Sequence, residues 1–152
     1  RSLRADGITD ALINAGGDMR AMGAKPTGPW VVGVRDPRGG ENAYRGTIAL
    51  RDRAVATSGD YENTTVIDGK RYHHIIDPRS GWPAEGCMSV TVLAADAETA
   101  DAYSTAFFVL GPVEGLALCE RLDGIEAFFI DSHGEQIRSS GFPEWKERMS
   151  NP

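Results

Sequence analysis

Residues 89–111 read SVTVLAADAETADAYSTAFFVLG, and the pattern of apolar side chains changes inside this stretch. Its first part, SVTVLA (89–94), is rich in β-branched residues, which favour strands. Asp96 then offers an N-cap side chain, and the residues after it contain no helix breaker before Gly111. The stretch therefore predicts a strand that is followed by a helix of about four turns.

The chain before this stretch predicts short strands joined by turns, because apolar residues recur with a period near two between Gly, Pro and Asn. GGD (16–18) predicts a hairpin turn, and Asp68-Gly69 between β-prone runs predicts a second hairpin. The predicted strands are ALINA (11–15), MRAMG (19–23), WVVGV (30–34), TIAL (47–50), AVAT (54–57) and RYHHII (71–76).

The chain after the first helix predicts a second helix from Pro112 through VEGLALCERL (113–122), and then a strand IEAFFI (125–130). A turn at 132–134 leads to a last short strand at 136–139, and the tail FPEWKERMSNP (142–152) is amphipathic at best. Antiparallel strands and hairpins followed by two helices and a terminal hairpin predict the α+β class. With 152 residues we expect a single domain.

The composition argues against nucleic-acid binding and against a transmembrane segment. The chain has 16 Lys and Arg against 22 Asp and Glu, a net charge of -6, which is the wrong sign for binding a nucleic acid backbone. No apolar run reaches the roughly 18 residues needed to cross a bilayer, so we expect no transmembrane segment. Cys87 and Cys119 form no CxxC pair, and we expect both to be buried as small apolar residues.

The helix carries a candidate metal site. Asp101 and Thr105 are four residues apart, so a carboxylate and a hydroxyl lie on one helix face. Mg²⁺ prefers such oxygen ligands, with water and phosphate completing its shell. Spacing alone leaves open the alternative that Asp101 complements the helix dipole and Thr105 is a polar filler.

The segment RYHHIIDPRSG (71–81) carries a candidate base. Successive side chains of a strand point to opposite faces, so the adjacent His73 and His74 cannot share one role. Pro78 places His74 close to a strand end, and histidine is well suited to general-base chemistry near neutral pH. A structural role for this histidine stays open at this point.

Two further segments offer small polar groups. The turn in NAGGDMRAMG (14–23) brings backbone N–H groups within reach of a phosphate or a ring, although such hairpin turns are common. AVATSGDYE (54–62) places hydroxyl residues at a strand end, where they can line a pocket. GVRDPRGG (33–40) is interpreted as a surface turn.

Together and in this order, these segments resemble the ApbE family of FAD:protein FMN transferases. The resemblance rests on NAGGDMRAMG, WVVGVRDP, AVATSGDYE, DGKRYHHIIDPRSG and SVTVLAADAETADAYSTAFFVLG, and it covers residues 11–130. Family members are considerably longer, and the chain is similar to their C-terminal portion. It lacks their upstream glycine- and lysine-containing segment, so either a fragment or a short paralogue is expected.

The resemblance implies an enzyme that binds FAD, uses Mg²⁺ at the pyrophosphate, and transfers FMN to a threonine of a redox-type acceptor protein with release of AMP. It implies Mg²⁺ ligands at Asp101 and Thr105, and a catalytic, cofactor-contacting His74. Related family members suggest a periplasmic or membrane-anchored location. The remaining cofactor-binding residues implied are Gly16, Gly17, Asp18, Ser58, Gly59, Asp60 and Tyr61.

Two alternatives accompany this interpretation. One is a non-catalytic flavin-binding or structural module, and the other is a Mg²⁺-dependent FAD pyrophosphatase that gives FMN and AMP. A purely structural role requires none of Asp101, Thr105 and His74, so their joint presence argues against a decayed module.

Overall fold

The computed structural model describes residues 2–40 and 42–147. A short 3-10 turn, Leu3–Asp6, precedes the first strand. The strands in these residues are β1 (Ala11–Ala15), β2 (Asp18–Met22), β3 (Trp30–Arg35), β4 (Tyr44–Leu50), β5 (Ala54–Gly59), β6 (Thr64–Ile67), β7 (Lys70–His73), β8 (Cys87–Ala94), β9 (Glu126–Asp131), β10 (Gln136–Arg138) and β11 (Lys146–Glu147), and helix α1 spans Ala97–Cys119.

The strands form three antiparallel sheets. The largest has the order β1-β2-β5-β8-β9-β10, a second has the order β11-β4-β3, and β6 pairs with β7 alone. Helix α1 packs on one face of the large sheet, where its Phe107 belongs to the same buried cluster as Val90, Val92 and Phe129. The small sheet covers the other face through Val32 and Ile48. The predicted α+β class is confirmed.

Strand β8 lies in the middle of the large sheet and is buried on both faces. Val90 and Val92 belong to the core beneath the helix, whereas Leu93 belongs to the core beneath the small sheet. A strand covered on both faces needs an almost continuous apolar run. The composition of SVTVLA follows from this position.

Helix α1 begins where the sequence predicts. The side chain of Asp96 accepts a hydrogen bond of 2.8 Å from the backbone N–H of Thr99, as an N-cap does. Gly111, with φ 80 and ψ 174, interrupts the helical geometry, and Pro112 restarts it. The two predicted helices therefore follow each other directly as one kinked element.

The length of α1 bears on whether a segment of this chain could cross a membrane. By length and composition alone, its 23 residues, with a mean hydropathy of 1.4 over the best window, are enough to cross a bilayer. The sequence predicts that the first helix ends at Gly111, whereas the observed helix continues across this glycine to Cys119 and is therefore longer than expected. Core helices of soluble proteins meet the same criterion, and Phe107 and Phe108 of α1 are fully buried against the sheet.

Two segments differ from their predicted form. Strand β7 ends at His73 instead of Ile76, because the chain turns into a loop in which Ile75 O accepts from Ala84 N. In the tail, Lys146–Glu147 adds a strand to β4, and the Trp145 ring packs 4.5 Å from that of Phe128. Residues 148–152 of the predicted tail lie outside the described residues.

Two predicted local features are confirmed, one hairpin turn and the burial of the two cysteines. The Asp68-Gly69 turn joins β6 to β7, and both residues have positive φ (49 and 77), as a tight hairpin turn requires. Cys87 and Cys119 are buried free thiols. Burial raises the pKa of Cys87 to about 12 and that of Cys119 to about 11.

Candidate active site

A cavity of about 540 Å³ opens between the β1–β2 turn, the ends of β3 and β5, and the first turns of α1. Its volume is in the range of small-molecule binding sites. All the site residues suggested by the sequence except Asp60 line it. They are Gly16, Gly17, Asp18, Ser58, Gly59, Tyr61, His74, Asp101 and Thr105.

The β1–β2 turn brings an acidic side chain to this cavity. Gly16 and Gly17 have φ values of 67 and 111, a left-handed backbone that residues with a side chain rarely adopt. The turn is fixed by a hydrogen bond of 2.9 Å from the backbone N–H of Gly17 to Oδ1 of Asn14. Asp18 follows directly as the first residue of β2.

Helix α1 contributes the carboxylate of Asp101 and the hydroxyl of Thr105, for which the spacing in the sequence predicts one shared face of the helix. Thr105 Oγ1 lies 3.0 Å from Ser58 Oγ at the end of β5, and Ser58 Oγ lies 2.8 Å from Ser104 Oγ. Ser104 in turn donates to the backbone carbonyl of Asp101 across 2.9 Å. This hydroxyl network joins the end of β5 to the helix turn that carries Asp101 and Thr105.

The charges at this end of the cavity suit a small cation. Partial burial, and secondarily the negative charge of Asp101, raise the pKa of Asp18. No group of three or more His, Cys, Asp or Glu side chains converges anywhere in the described part of the chain. Asp101, Thr105 and nearby hydroxyls thus form a sparse oxygen donor set, which fits Mg²⁺ because that ion keeps several waters or phosphate oxygens.

The two adjacent histidines have separate environments, as strand alternation predicts. His73 is buried, with Nε2 3.1 Å from the carbonyl oxygen of Ala84 and its ring edge-on to Phe108 at 5.4 Å. His74 is exposed, lines the cavity, and has Nδ1 3.2 Å from the carbonyl oxygen of Glu62. The arrangement leaves only His74 available to a ligand in the cavity.

Asp60 is the one suggested residue that the fold does not bring to the cavity. Its carboxylate accepts two hydrogen bonds of 2.6 Å from the guanidinium of Arg38, and it lines a separate cavity together with His73. Gly59 and Tyr61, its neighbours in sequence, line the main cavity. Asp60 lies in the turn that follows β5, and its ion pair with Arg38 holds its side chain away from the main cavity.

Arg35 and Glu62 line the cavity although the sequence analysis did not single them out. Arg35 Nη1 donates to Glu62 Oε1 across 2.8 Å, and its guanidinium lies 4.7 Å from the centre of the Tyr61 ring. Burial raises the pKa of Tyr61 to about 12. Arg35 lies in the stretch interpreted as a surface turn, and no local pattern shows that this turn packs against residues 60–62.

The chain is similar in sequence to proteins named FAD:protein FMN transferase. The chain is 34% identical to an FAD:protein FMN transferase of Escherichia coli (strain K12), covering 96% of this chain and 42% of that protein. It is 40% identical to one from Treponema pallidum, covering 84% of this chain and 38% of that protein. The chain therefore spans less than half the length of these relatives.

Solved structures with the ApbE name have the same fold. The ApbE protein of Thermotoga maritima superposes with a TM-score of 0.78 at 46% identity, covering 86% of this chain and 43% of that one. The apo form of the flavinyl transferase ApbE of Pseudomonas stutzeri superposes with a TM-score of 0.74 at 40% identity, covering 91% of this chain and 44% of that one. The ApbE family model matches residues 1–129. With the fold, the cavity and these matches in agreement, the chain belongs to the ApbE family.

Proposed function

We propose that this chain carries the catalytic cavity of a Mg²⁺-dependent FAD:protein FMN transferase, which moves FMN from FAD to a threonine of a redox-type acceptor protein and releases AMP. The observation that carries the proposal is the convergence of His74, Asp101 and Thr105 on one cavity of about 540 Å³. The names of the relatives support flavin transfer as the reaction.

The part of the cavity that is lined by Asp18, Asp101 and Thr105 supplies charge neutralisation. Asp101 and Thr105 would hold Mg²⁺, and Asp18 adds negative charge beside them. When bound, Mg²⁺ offsets the charge that develops on the phosphate oxygens. The chain has a net charge of -6, so its overall field does not attract an anionic dinucleotide and local neutralisation matters more.

His74 supplies the proton chemistry. Its imidazole takes the proton of the incoming threonine hydroxyl as that oxygen forms a bond to the phosphorus of the FMN moiety. The bond from this phosphorus to the bridging oxygen breaks, and the bridging oxygen leaves with AMP. Phosphoryl transfer of this kind depends mainly on positioning and on electrostatic stabilisation, which the residues of this cavity provide.

The test is to incubate the purified protein with FAD, Mg²⁺ and an acceptor flavoprotein, and to follow in-gel flavin fluorescence and free AMP. We expect fluorescent acceptor and AMP in equal amounts, both lost when EDTA removes the cation and restored by excess Mg²⁺. AMP without labelled acceptor would instead identify an FAD pyrophosphatase, with water as the nucleophile. FAD binding with neither product would identify a non-catalytic module.

A further inference from the structure

Two arginines of the β3–β4 hairpin contact three consecutive residues, 60–62, of which Tyr61 and Glu62 line the main cavity. Arg38 makes a bidentate ion pair with Asp60, both hydrogen bonds being 2.6 Å long. Arg35 pairs with Glu62 at 2.8 Å and lies over the Tyr61 ring between the two acidic residues. The hairpin thereby fixes residues 60–62 relative to the small sheet.

Residue 62 also determines how His74 is held. The carbonyl oxygen of Glu62 lies 3.2 Å from Nδ1 of His74, and a carbonyl oxygen can only accept a hydrogen bond. In the neutral ring, Nδ1 therefore carries the proton and Nε2 keeps its lone pair. This is the tautomer that allows Nε2 to accept a proton from a hydroxyl group.

The backbone next to Glu62 needs such a restraint. Asn63 has a φ of 42, a left-handed conformation that costs free energy in a residue with a side chain. The chain bends there between β5 and β6, so contacts at residue 62 help to set the direction of its carbonyl group. The Arg35–Glu62 ion pair is such a contact at residue 62 itself.

We propose that Arg35 is a positioning residue for His74: by holding Glu62, it keeps the Glu62 carbonyl on Nδ1 and so maintains the tautomer with a free Nε2. The catalytic consequence rests on the proposed function, because it assumes that His74 is the base of the transfer. The proposal assigns Arg38 the separate task of neutralising the buried Asp60.

The side chains of Arg35 and Glu62 are about half exposed, at 43% and 55%, so the pair contributes little to stability and its removal should leave the protein folded. The first experiment is long-range ¹H–¹⁵N NMR of the imidazole rings in the protein without FAD, with His74→Gln used to assign the His74 signals. We expect Nδ1–H for His74 in the unchanged protein. Arg35→Ala and Glu62→Ala should show a mixture of both tautomers.

Matched variants make this experiment decisive. Arg35→Lys retains a cation for Glu62 and should keep most of the Nδ1–H form, and Arg121→Ala, an exposed arginine at the end of α1, should change nothing. A His74 ring that remains fully Nδ1–H in Arg35→Ala overturns the proposal. An unchanged protein in which His74 is protonated mainly on Nε2 overturns it as well.

The second experiment separates positioning from direct substrate contact. In the transfer assay, Arg35→Ala should lower kcat by about 10- to 100-fold while KM for FAD stays within about twofold. The double variant Arg35→Ala/Glu62→Ala should be no slower than either single variant, because both break the same contact. A raised KM with additive losses would mean that Arg35 binds FAD, which overturns the positioning role. If the unchanged protein transfers no FMN, the proposed function fails, but the tautomer result still decides the role of Arg35.

Discussion

Asp18 on β2 and Asp101 on α1 line the same cavity, and the pKa of Asp18 is raised by its partial burial and by the charge of Asp101. Folding thus brings the exposed Asp101 carboxylate and the partly buried Asp18 carboxylate to the same cavity. The negative charge of Asp101 disfavours ionisation of the Asp18 carboxyl group. A divalent cation between the β1–β2 turn and α1 would remove this repulsion, and the first prediction follows from it.

Mg²⁺ is expected to stabilise the folded chain through Asp101. At a free Mg²⁺ concentration 100 times Kd, binding adds about 2.7 kcal/mol to the free energy of unfolding. Asp101→Asn should abolish this gain, and Asp123→Asn, which changes an exposed acidic residue at a turn after α1, should keep it. Thermal unfolding with and without MgCl₂ measures the effect. Unchanged Mg²⁺ affinity in Asp101→Asn would defeat the metal assignment.

Replacement of His74 is expected to impair catalysis but not folding. The residue is exposed, and Nδ1 of its ring bonds to the backbone carbonyl of Glu62, so His74→Gln should unfold within a few degrees of the unchanged protein. Loss of a general base lowers rates by about 10²- to 10⁴-fold. FMN transfer should fall by this factor while FAD binding persists. A collapsed thermal transition would show instead that His74 is structural.

Gly59 is expected to matter for the shape of the cavity. A Cβ atom at this position would overlap the Tyr61 ring, which lines the cavity and lies under Arg35. Gly59→Ala should therefore displace that ring, at a cost of about 1–3 kcal/mol, and weaken FAD binding. Gly40→Ala is the control, since a Cβ there meets open space. Titration of FAD fluorescence compares the two variants, and equal affinities would refute the role of Tyr61.

The N-cap of α1 is expected to make stability depend on acid pH. Hydrogen bonds from the backbone and side chain of Thr99 lower the pKa of Asp96 below 3.8. Because the folded pKa is lowered, this stabilisation is present above about pH 3.8 and is lost as pH falls through the folded pKa. At pH 7, Asp96→Asn should unfold near the temperature of the unchanged protein, because Asn is also a good N-cap. Asp96→Ala should unfold at a lower temperature.

Acid titration distinguishes the cap from a general charge effect. As the pH falls below 3.8, the unfolding temperature of the unchanged protein should approach that of Asp96→Ala. Asp96→Asn caps without titrating, so its advantage over Asp96→Ala should persist. If all three curves stay parallel down to pH 2.5, Asp96 does not act as a titrating cap.

The local sequence pattern predicts most of the strands and the helix of this fold. ALINA predicts β1 with the observed bounds, and Asp96 predicts the start of α1. Gly111 was interpreted as a stop but acts as a kink, since Pro112 can resume a helix that the sheet below holds in place. The strand at Lys146–Glu147 was missed because it forms only through pairing with β4, about 100 residues earlier in the chain.

The sequence by itself determined the hairpin turns, the capped helix, the i to i+4 pairing of Asp101 with Thr105, and the family, because these depend on neighbours along the chain. Only the tertiary structure decided that Asp60 faces Arg38 instead of the cavity, and that Arg35 reaches Glu62 behind His74. Those contacts join residues 22 and 27 positions apart, and their geometry depends on how the small sheet packs on the large one.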